Sequence, residues 1–302
     1  MRAAVLGVGL IGGSIGLALR RRVGASVIGY DPSAGALLSA VELGAIDEAA
    51  IRIIDAVADA DVVFVAAPVG ASVDTARTAL DAASADCIVS DVGSTKRKIV
   101  QAISDPRFVG GHPLAGAETA GVENAREDLF EGATWYLTST IKASSRAAGA
   151  TTSTLESPSA AIERLRALIE RFGAQPVTID PEDHDRLMAN VSHLPHVLAN
   201  VLVAQATRAV GSEEMTMGDG RLDAGPSFRD ATRVAGANTA IWTDIYMSNQ
   251  DLLADALDET IEELSAVRDA LDSGNAEAIA AWNDRVLDER KQLQRAGLAP
   301  GS

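Results

Sequence analysis

Cysteine is almost missing from this 302-residue chain, where Cys87 stands alone. One cysteine excludes an intrachain disulfide and a thiolate metal site, and nothing points to an oxidising compartment. It lies in the apolar run 87–89, where a small core residue is expected rather than a reactive thiol. Lysine is scarce too: four lysines, at 96, 98, 142 and 291, stand against 22 arginines. The formal net charge is −16. Nucleic-acid binding needs clustered cations to displace counterions, and only Arg20-Arg21-Arg22 approaches a cluster, so that class is excluded. The N-terminal run 1–22 has the look of a signal peptide. It carries five glycines at structured spacing and ends in three arginines, with no small-residue cleavage site, so that reading is rejected. No later run is expected to reach the ~20 apolar residues of a membrane span, which predicts a cytoplasmic protein with no membrane partner.

What is there is ample apolar content, 47% of residues, enough for two domains with separate cores. Residues 1–180 alternate short β-rich runs with helical patterns. Strands are predicted at 3–6, 26–30, 62–66, 87–90, 108–110, 134–137 and 176–179, and helices at 13–22, 33–43, 71–82, 94–102 and 162–172. Nearly all-apolar strands alternating with helices predict an α/β fold with a mostly parallel sheet covered on both faces. The stretch 142–161, rich in Ser, Thr and Ala, reads as a surface loop. Asp180-Pro181-Glu182-Asp183 is a helix start, and the pattern is helical from there on, with breaks at 211–212, 218–227 and 273–274. A boundary near 180 thus separates a dinucleotide-binding domain, 1–180, from an all-helical domain, 181–302.

Gly7-Val8-Gly9-Leu10-Ile11-Gly12 follows an apolar strand and opens a helix. Gly7 permits the tight turn, Gly9 lets backbone approach a pyrophosphate, and Gly12 lets helix pack on strand. The amides of Leu10 and Ile11 lie at the helix N-terminus, where phosphates sit. Asp31, 19 residues after Gly12, ends the second predicted strand, where a carboxylate accepts ribose hydroxyls and repels a 2′-phosphate. NAD is therefore expected over NADP. Pro68 and Ser94 follow later strands and are expected at the cofactor crevice. Ser94 has a second reading, as cap of a helix starting at Thr95.

Four histidines occur. His112 sits in Val109–Gly121, a glycine-rich strand end, and Pro113 biases it to extended backbone. His184 is expected at the surface of a first helical turn. Ser192-His193-Leu194-Pro195-His196 places His193 and His196 on one helix face around a proline defect, which suits a site better than a core. Zinc is a competing idea, but no Asp, Glu or Cys completes a ligand set, and no metal is expected. Arg229 and Arg233 are i, i+4 after a Gly/Pro loop, so they read as an anion clamp or as surface salt bridges.

Taken together, Gly7–Ser14 (GVGLIGGS), Gly93-Ser94-Thr95-Lys96, GGHPLAG at 110–116, DLFEGAT at 128–134, SHLPH at 192–196 and FRDATRV at 228–234 resemble the prephenate/arogenate dehydrogenase family of tyrosine biosynthesis, over about residues 1–290. The resemblance implies an NAD-dependent oxidative decarboxylation of prephenate to 4-hydroxyphenylpyruvate. Arogenate dehydrogenase and dual-specificity cyclohexadienyl dehydrogenase are the alternatives. By motif position it implies His112 as the base on the C4 hydroxyl, Ser94 as a hydrogen-bonding partner to that region and the cofactor, and Arg233 as the substrate-carboxylate partner. It also places His196, with His193 and Ser192, along the side-chain pocket, and Trp242 near the substrate. Gly225-Pro226-Ser227 departs from the glycines usual before the FRD motif and stiffens that loop. The open question of substrate turns on an acid near the side-chain pocket, for which Asp230 is a candidate. A homodimer through the helical domain is implied, with apolar helices at 252–271 and 276–287. A β-hydroxyacid dehydrogenase is disfavoured, since no lysine occurs between 142 and 291. A non-catalytic nicotinamide sensor would not need His112, Ser94 and Arg233 together.

Overall fold

A computed structural model describes residues 1–116, 119–139, 160–210 and 224–297. The N-terminal part runs β1 (Arg2–Leu6), α1 (Leu10–Ala18), β2 (Ser26–Tyr30), α2 (Ala34–Glu42), β3 (Glu48–Ala50), α3 (Ile53–Val57), β4 (Val62–Val65), α4 (Val69–Ala82), β5 (Ile88–Asp91), α5 (Arg97–Ala102), β6 (Phe108–Pro113), β7 (Thr134–Ser139), α6 (Ala160–Arg171) and β8 (Gln175–Thr178). These strands form one eight-stranded sheet in the order β3-β2-β1-β4-β5-β6-β7-β8. Every neighbouring pair is parallel except β6–β7, which is antiparallel. The order reverses between β1 and β4, and such a switch point opens a crevice beyond the strands' carboxyl ends.

The apolar strands bury both faces, as a doubly covered sheet requires. Val5, Phe64 and Trp135 join one core cluster; Leu6, Val63, Val65 and Val89 join the other. Alternation along a strand explains the split, since successive side chains point to opposite faces. On the first face Phe64, Phe130, Trp135 and Phe172 form an aromatic knot with ring centroids 5.0–6.3 Å apart.

Several boundaries differ from expectation. The short β3 and α3 carry too little periodicity to be read. The first helix ends at Ala18 and continues as a π turn, Leu19–Val23, stopped by Gly24 at φ 70°. The end of the fifth predicted strand, at 110, moves to Pro113, because β7 pairs with β6 as far as Pro113↔Trp135. His112 is therefore a strand residue, paired opposite Tyr136.

After β8 the chain is helical: α7 (Pro181–Met188), a π turn (Ala189–His193), α8 (Leu194–Val210), α9 (Pro226–Thr232), α10 (Thr239–Ser248), α11 (Gln250–Asp272) and α12 (Ala276–Arg295). Asp180 caps α7 by accepting from the Glu182 amide at 2.8 Å, with Pro181 in the first turn. The expected break at 211–212, most of the one at 218–227, and nearly all of the 142–161 loop lie outside the described residues, as does Glu118. The run Pro181–Val210 is 30 residues long, with a mean hydropathy of 1.3 over its most apolar window. By length and composition it is able to cross a bilayer, which corrects the expectation that no later run reaches that size. Its histidines are buried in the site described below.

The chain divides into two compact units, Met1–Gln250 and Asp251–Ser302. The second is a helical hairpin of α11 and α12 turning at Gly274 (φ 64°). Within it Glu263 accepts from Trp282 Nε1 at 2.5 Å and pairs with Arg285.

Candidate active site

The turn from β1 into α1 has the form a dinucleotide requires. Gly7 has φ 98°, forbidden ground for most side chains, and its N–H donates to the Tyr30 carbonyl at 2.7 Å. A Cβ on Gly12 would lie 1.8 Å from the Gly7 carbonyl oxygen. A Cβ on Gly9 would meet nothing within 4 Å, so the turn stands open on that side. Gly9 is the N-cap of α1 and makes no side-chain cap, which leaves the first-turn amides, Leu10 and Ile11 among them, facing the opening. Asp31 ends just beyond β2. Its carboxylate accepts the Val8 and Ser33 amides at 3.0 and 2.8 Å, which fixes it beside the glycine turn. The three arginines of the cluster are engaged elsewhere: Arg20 with Asp47, Arg21 with Glu127, Arg22 with Glu131. None is thereby set to receive a 2′-phosphate. These residues fit NAD, with Pro68 at the N-cap of α4 and Ser94 in the β5–α5 loop along the same carboxyl edge.

The second reading of Ser94 is corrected. Helix α5 starts at Arg97, not Thr95, and its first amides are taken by Asp185 of α7. Asp185 Oδ1 accepts Lys96 N–H at 2.7 Å, and Oδ2 accepts Arg97 N–H at 2.9 Å.

His184 is likewise not a surface residue; it is fully buried. Its Nδ1 lies 2.8 Å from Asp185 Oδ1, and its Nε2 lies 2.9 Å from His112 Nδ1. Protons can be assigned along this chain, because a carboxylate only accepts. Burial works to raise the Asp185 carboxyl, but the His184 hydrogen bond and the Arg97 and Lys96 amides outweigh it and hold the group below its ordinary value. Asp185 is then ionised, and His184 Nδ1 carries the proton. Burial lowers His184, so the ring is neutral and its Nε2 is bare. That lone pair accepts His112 Nδ1–H. Burial above all, then His184, Lys96 and His193, holds His112 well below the ordinary histidine value. His112 is therefore neutral, with a bare Nε2.

The other two histidines resolve the opposite way. Asn249 Oδ1 accepts from Arg97 at 3.3 Å, so its Nδ2 is the donor, to the Asp185 carbonyl at 2.8 Å and to His193 Nδ1 at 3.2 Å. Asn200 Oδ1 accepts the Gly236 amide at 3.4 Å, so its Nδ2 donates to His196 Nδ1 at 3.3 Å, where the Tyr246 hydroxyl also bonds. Both imidazoles then carry hydrogen on Nε2. Each of these atoms is buried with no hydrogen-bond partner among the described residues. Burial pushes His193 down to about 4 and lowers His196, so both are neutral donors. An unpaired buried N–H is costly and calls for a ligand acceptor. Trp242 stacks on His196 at 3.5 Å and meets His193 edge-on at 6.3 Å.

The π turn at Ala189–His193 is the helix defect expected around Pro195, and it sets His193 and the half-buried Ser192. Arg229 lies on α9 and Arg233 at its C-cap, both exposed, and the chain just after them is tethered through Gly236 to Asn200 beside His196. Sequence reasoning missed His184, Asp185, Asn249, Tyr246 and Lys96. The signal for Asp185 lay in its place beside a histidine, but its role as a cap for a helix 88 residues away has no local signature. A separate cavity of about 270 Å³ lies between α4, the 91–99 segment and α10, and none of the histidines lines it.

Two family models match the chain: the nucleotide-binding domain of prephenate dehydrogenase over residues 15–164 and its dimerization domain over residues 180–284. The prephenate dehydrogenase of Bacillus subtilis is 35% identical over 294 residues, covering 95% of this chain and 74% of that protein. The cyclohexadienyl dehydrogenase of Zymomonas mobilis is 31% identical, covering 98% and 94%. Among solved structures, the prephenate dehydrogenase of A. aeolicus in complex with hydroxyphenyl propionate and NAD+ aligns with a TM-score of 0.82 at 28% identity, over 97% of this chain and 98% of that one. The Synechocystis arogenate dehydrogenase gives 0.76 at 28% identity, over 97% and 99%. With a nucleotide turn on one side and an arrangement of histidines on the other, this chain belongs to the prephenate dehydrogenase family.

Proposed function

We propose that the protein is an NAD-dependent prephenate dehydrogenase, producing 4-hydroxyphenylpyruvate, CO2 and NADH from prephenate and NAD. The observation that carries the reading is the sorting of imidazole nitrogens: one bare Nε2 on His112, and on His193 and His196 two Nε2–H donors with no partner among the described residues. Prephenate has the matching chemistry, a C4 hydroxyl with a proton to give up and carboxylate and keto oxygens that need donors. His112 accepts the hydroxyl proton on Nε2 as the C4 hydrogen leaves with its electron pair and the C1 carboxylate departs as CO2, and the C4 oxygen takes the proton back once the ring is aromatic. Bound NAD supplies the hydride acceptor, held by Gly7, Gly9, Leu10, Ile11, Gly12, Asp31, Pro68 and Ser94. The new positive charge on His112 is relieved through Nδ1–H to His184, whose basicity Asp185 supports. His193 and His196 orient the side-chain oxygens, with Ser192, Trp242 and Arg229 around them, and Arg233 pairs with a substrate carboxylate.

A second reading keeps the reaction and changes the substrate to arogenate, or accepts both, as the Z. mobilis and Synechocystis relatives' names describe. Asp230 beside Arg229 is the acid that would favour an ammonium. Neutral donor histidines favour a keto acid over an amine. Measuring NADH formation with prephenate and arogenate, each with NAD and NADP, tests both choices. A large arogenate preference overturns the first, tenfold tighter NADP overturns the Asp31 reading, and no turnover at all favours a non-catalytic sensor.

The division at 180, the cytoplasmic location and a homodimer belong to the same proposal. Val201, Leu202, Val203 and Val210 are exposed along α8, and so are Ile261, Leu264, Val286 and Leu287 in the hairpin. Apolar side chains exposed in this way suit a second copy, and the matched dimerization domain, residues 180–284, takes in α8, Ile261 and Leu264.

A further inference from the structure

The ladder between β5 and β6 is short. It pairs Val89 with Phe108 and Ser90 with Val109, and there it stops. Strand β6 runs on through residues 110–113, carrying His112 past the end of its parallel neighbour. Side chains then continue the work of the ladder. Asp91 Oδ1 accepts the Gly111 N–H at 3.1 Å. Lys96 Nζ donates to the Gly111 carbonyl at 2.7 Å and to Asp91 Oδ2, which also accepts the Gly93 N–H at 2.8 Å. Both backbone polar groups of the residue before His112 are thus held by one ion pair. That pair is sealed from solvent. A Cβ on Gly111 would lie 2.6 Å from the Asp91 carbonyl oxygen, and one on Gly110 would lie 2.2 Å from Thr138 Oγ1 and 3.4 Å from Lys96 Cδ. The two glycines before the histidine are therefore the residues that let the lysine and β5 come this close.

We propose that Lys96 is a positioning residue for His112, tying the tip of β6 to the tip of β5 through the Gly111 carbonyl and Asp91. This inference rests on His112 as the base. Three N–H donors converge on Asp91, those of Gly111, Gly93 and Lys96. Burial lowers Lys96 while Asp91 and Asp185 pull it back up. A fixed cation behind the strand disfavours a second one on the imidazole, and Lys96 is among the causes that depress His112. The charged and titratable groups around His112 are Lys96 and Asp91, His184 and Asp185 from α7, His193 from the π turn, and Tyr136 from β7. Of these only Lys96 both touches the backbone that carries the ring and sets positive charge against an imidazolium there. A buried ion pair that stabilised the fold alone would have no reason to set the pH at which the base works.

The test compares Lys96→Met with Lys96→Gln, which keeps an N–H donor for Gly111 but no charge. The readouts are kcat, substrate KM, NADH binding by fluorescence, and the pH profile of kcat/KM. Wild-type turnover is measured first; if neither cyclohexadienyl acid yields NADH, the functional reading falls and this inference with it. With turnover established, both variants are expected to bind NADH within about threefold of wild type. Lys96→Met is expected to lose about 10²-fold in kcat, as a small misplacement of the base does, and Lys96→Gln less. Removing the cation makes the imidazolium easier to form, so the acid limb should move up by about one pH unit in both variants. An acid limb that stays in place, a loss confined to NADH binding, or failure of both variants to fold would each show Lys96 to be structural, and the proposal would fall. If only Lys96→Met fails to fold, the acid limb of Lys96→Gln decides.

Discussion

Replacing His184 by asparagine isolates the hydrogen-bond chain behind the base. The asparagine amide reaches as far as the histidine Nδ1 and can still donate to Asp185, but nothing then reaches His112 Nδ1, which His184 Nε2 meets at 2.9 Å. Glutamine has the longer reach, and its carbonyl can take the place of the lost Nε2. In the wild type the bond from His112 Nδ1–H fixes the tautomer with Nε2 bare. It also strengthens when Nε2 takes a proton, because the acceptor is backed by an ionised Asp185. A hydrogen bond that gains charge in this way is worth about 1.5–3 kcal/mol, which is ~10–10²-fold in rate. Single-turnover NADH formation should therefore fall ~10–10²-fold in His184→Asn with NADH binding unchanged, and His184→Gln should recover part of the loss. A His184→Asn rate within about threefold of wild type would refute the relay, since the bond would then contribute nothing to the transition state.

Three further outcomes follow from the same geometry. His112→Asn should lower kcat by ~10²–10⁴-fold, the range of a lost general base, and unchanged turnover in steady-state assays would remove His112 from that role. Arg233→Ala should mainly raise substrate KM; if kcat fell at constant KM, the arginine would act in the transition state instead. The buried histidines also predict acid sensitivity. Burial carries His193 from 6.5 to about 4, and lowers His112 and His184. A histidine depressed in the folded state favours folding while neutral, so its contribution is full above about pH 6.5 and is lost as pH falls toward 4, about 3 kcal/mol for His193 alone. The melting temperature should drop across that window, and a flat profile down to about pH 4.5 would contradict it.

What the sequence determined by itself is whatever local stereochemistry and short-range pattern dictate. Gly7, Gly9 and Gly12, spaced between an apolar strand and a helix pattern, pointed to a tight strand-to-helix turn, and the structure has that turn. The apolar strands, too uniform to be half-exposed, required a parallel sheet with both faces covered. Asp180 and Pro181 announced α7, and the SHLPH run its helix defect. Tertiary structure alone decided the rest, because it depends on groups far apart in the chain. His184 reads as a surface residue until α7 folds back over β6 and β7, and then it is the link between Asp185 and His112, 72 residues away. Lys96 reads as one of few lysines until the β5–β6 ladder runs out beneath it. Which nitrogen of each histidine holds the proton depends on Asn200, Asn249 and Asp185, whose orientations are set by partners far away in the chain. The site's residue types are written in the motifs; its proton arrangement exists only once those partners are packed.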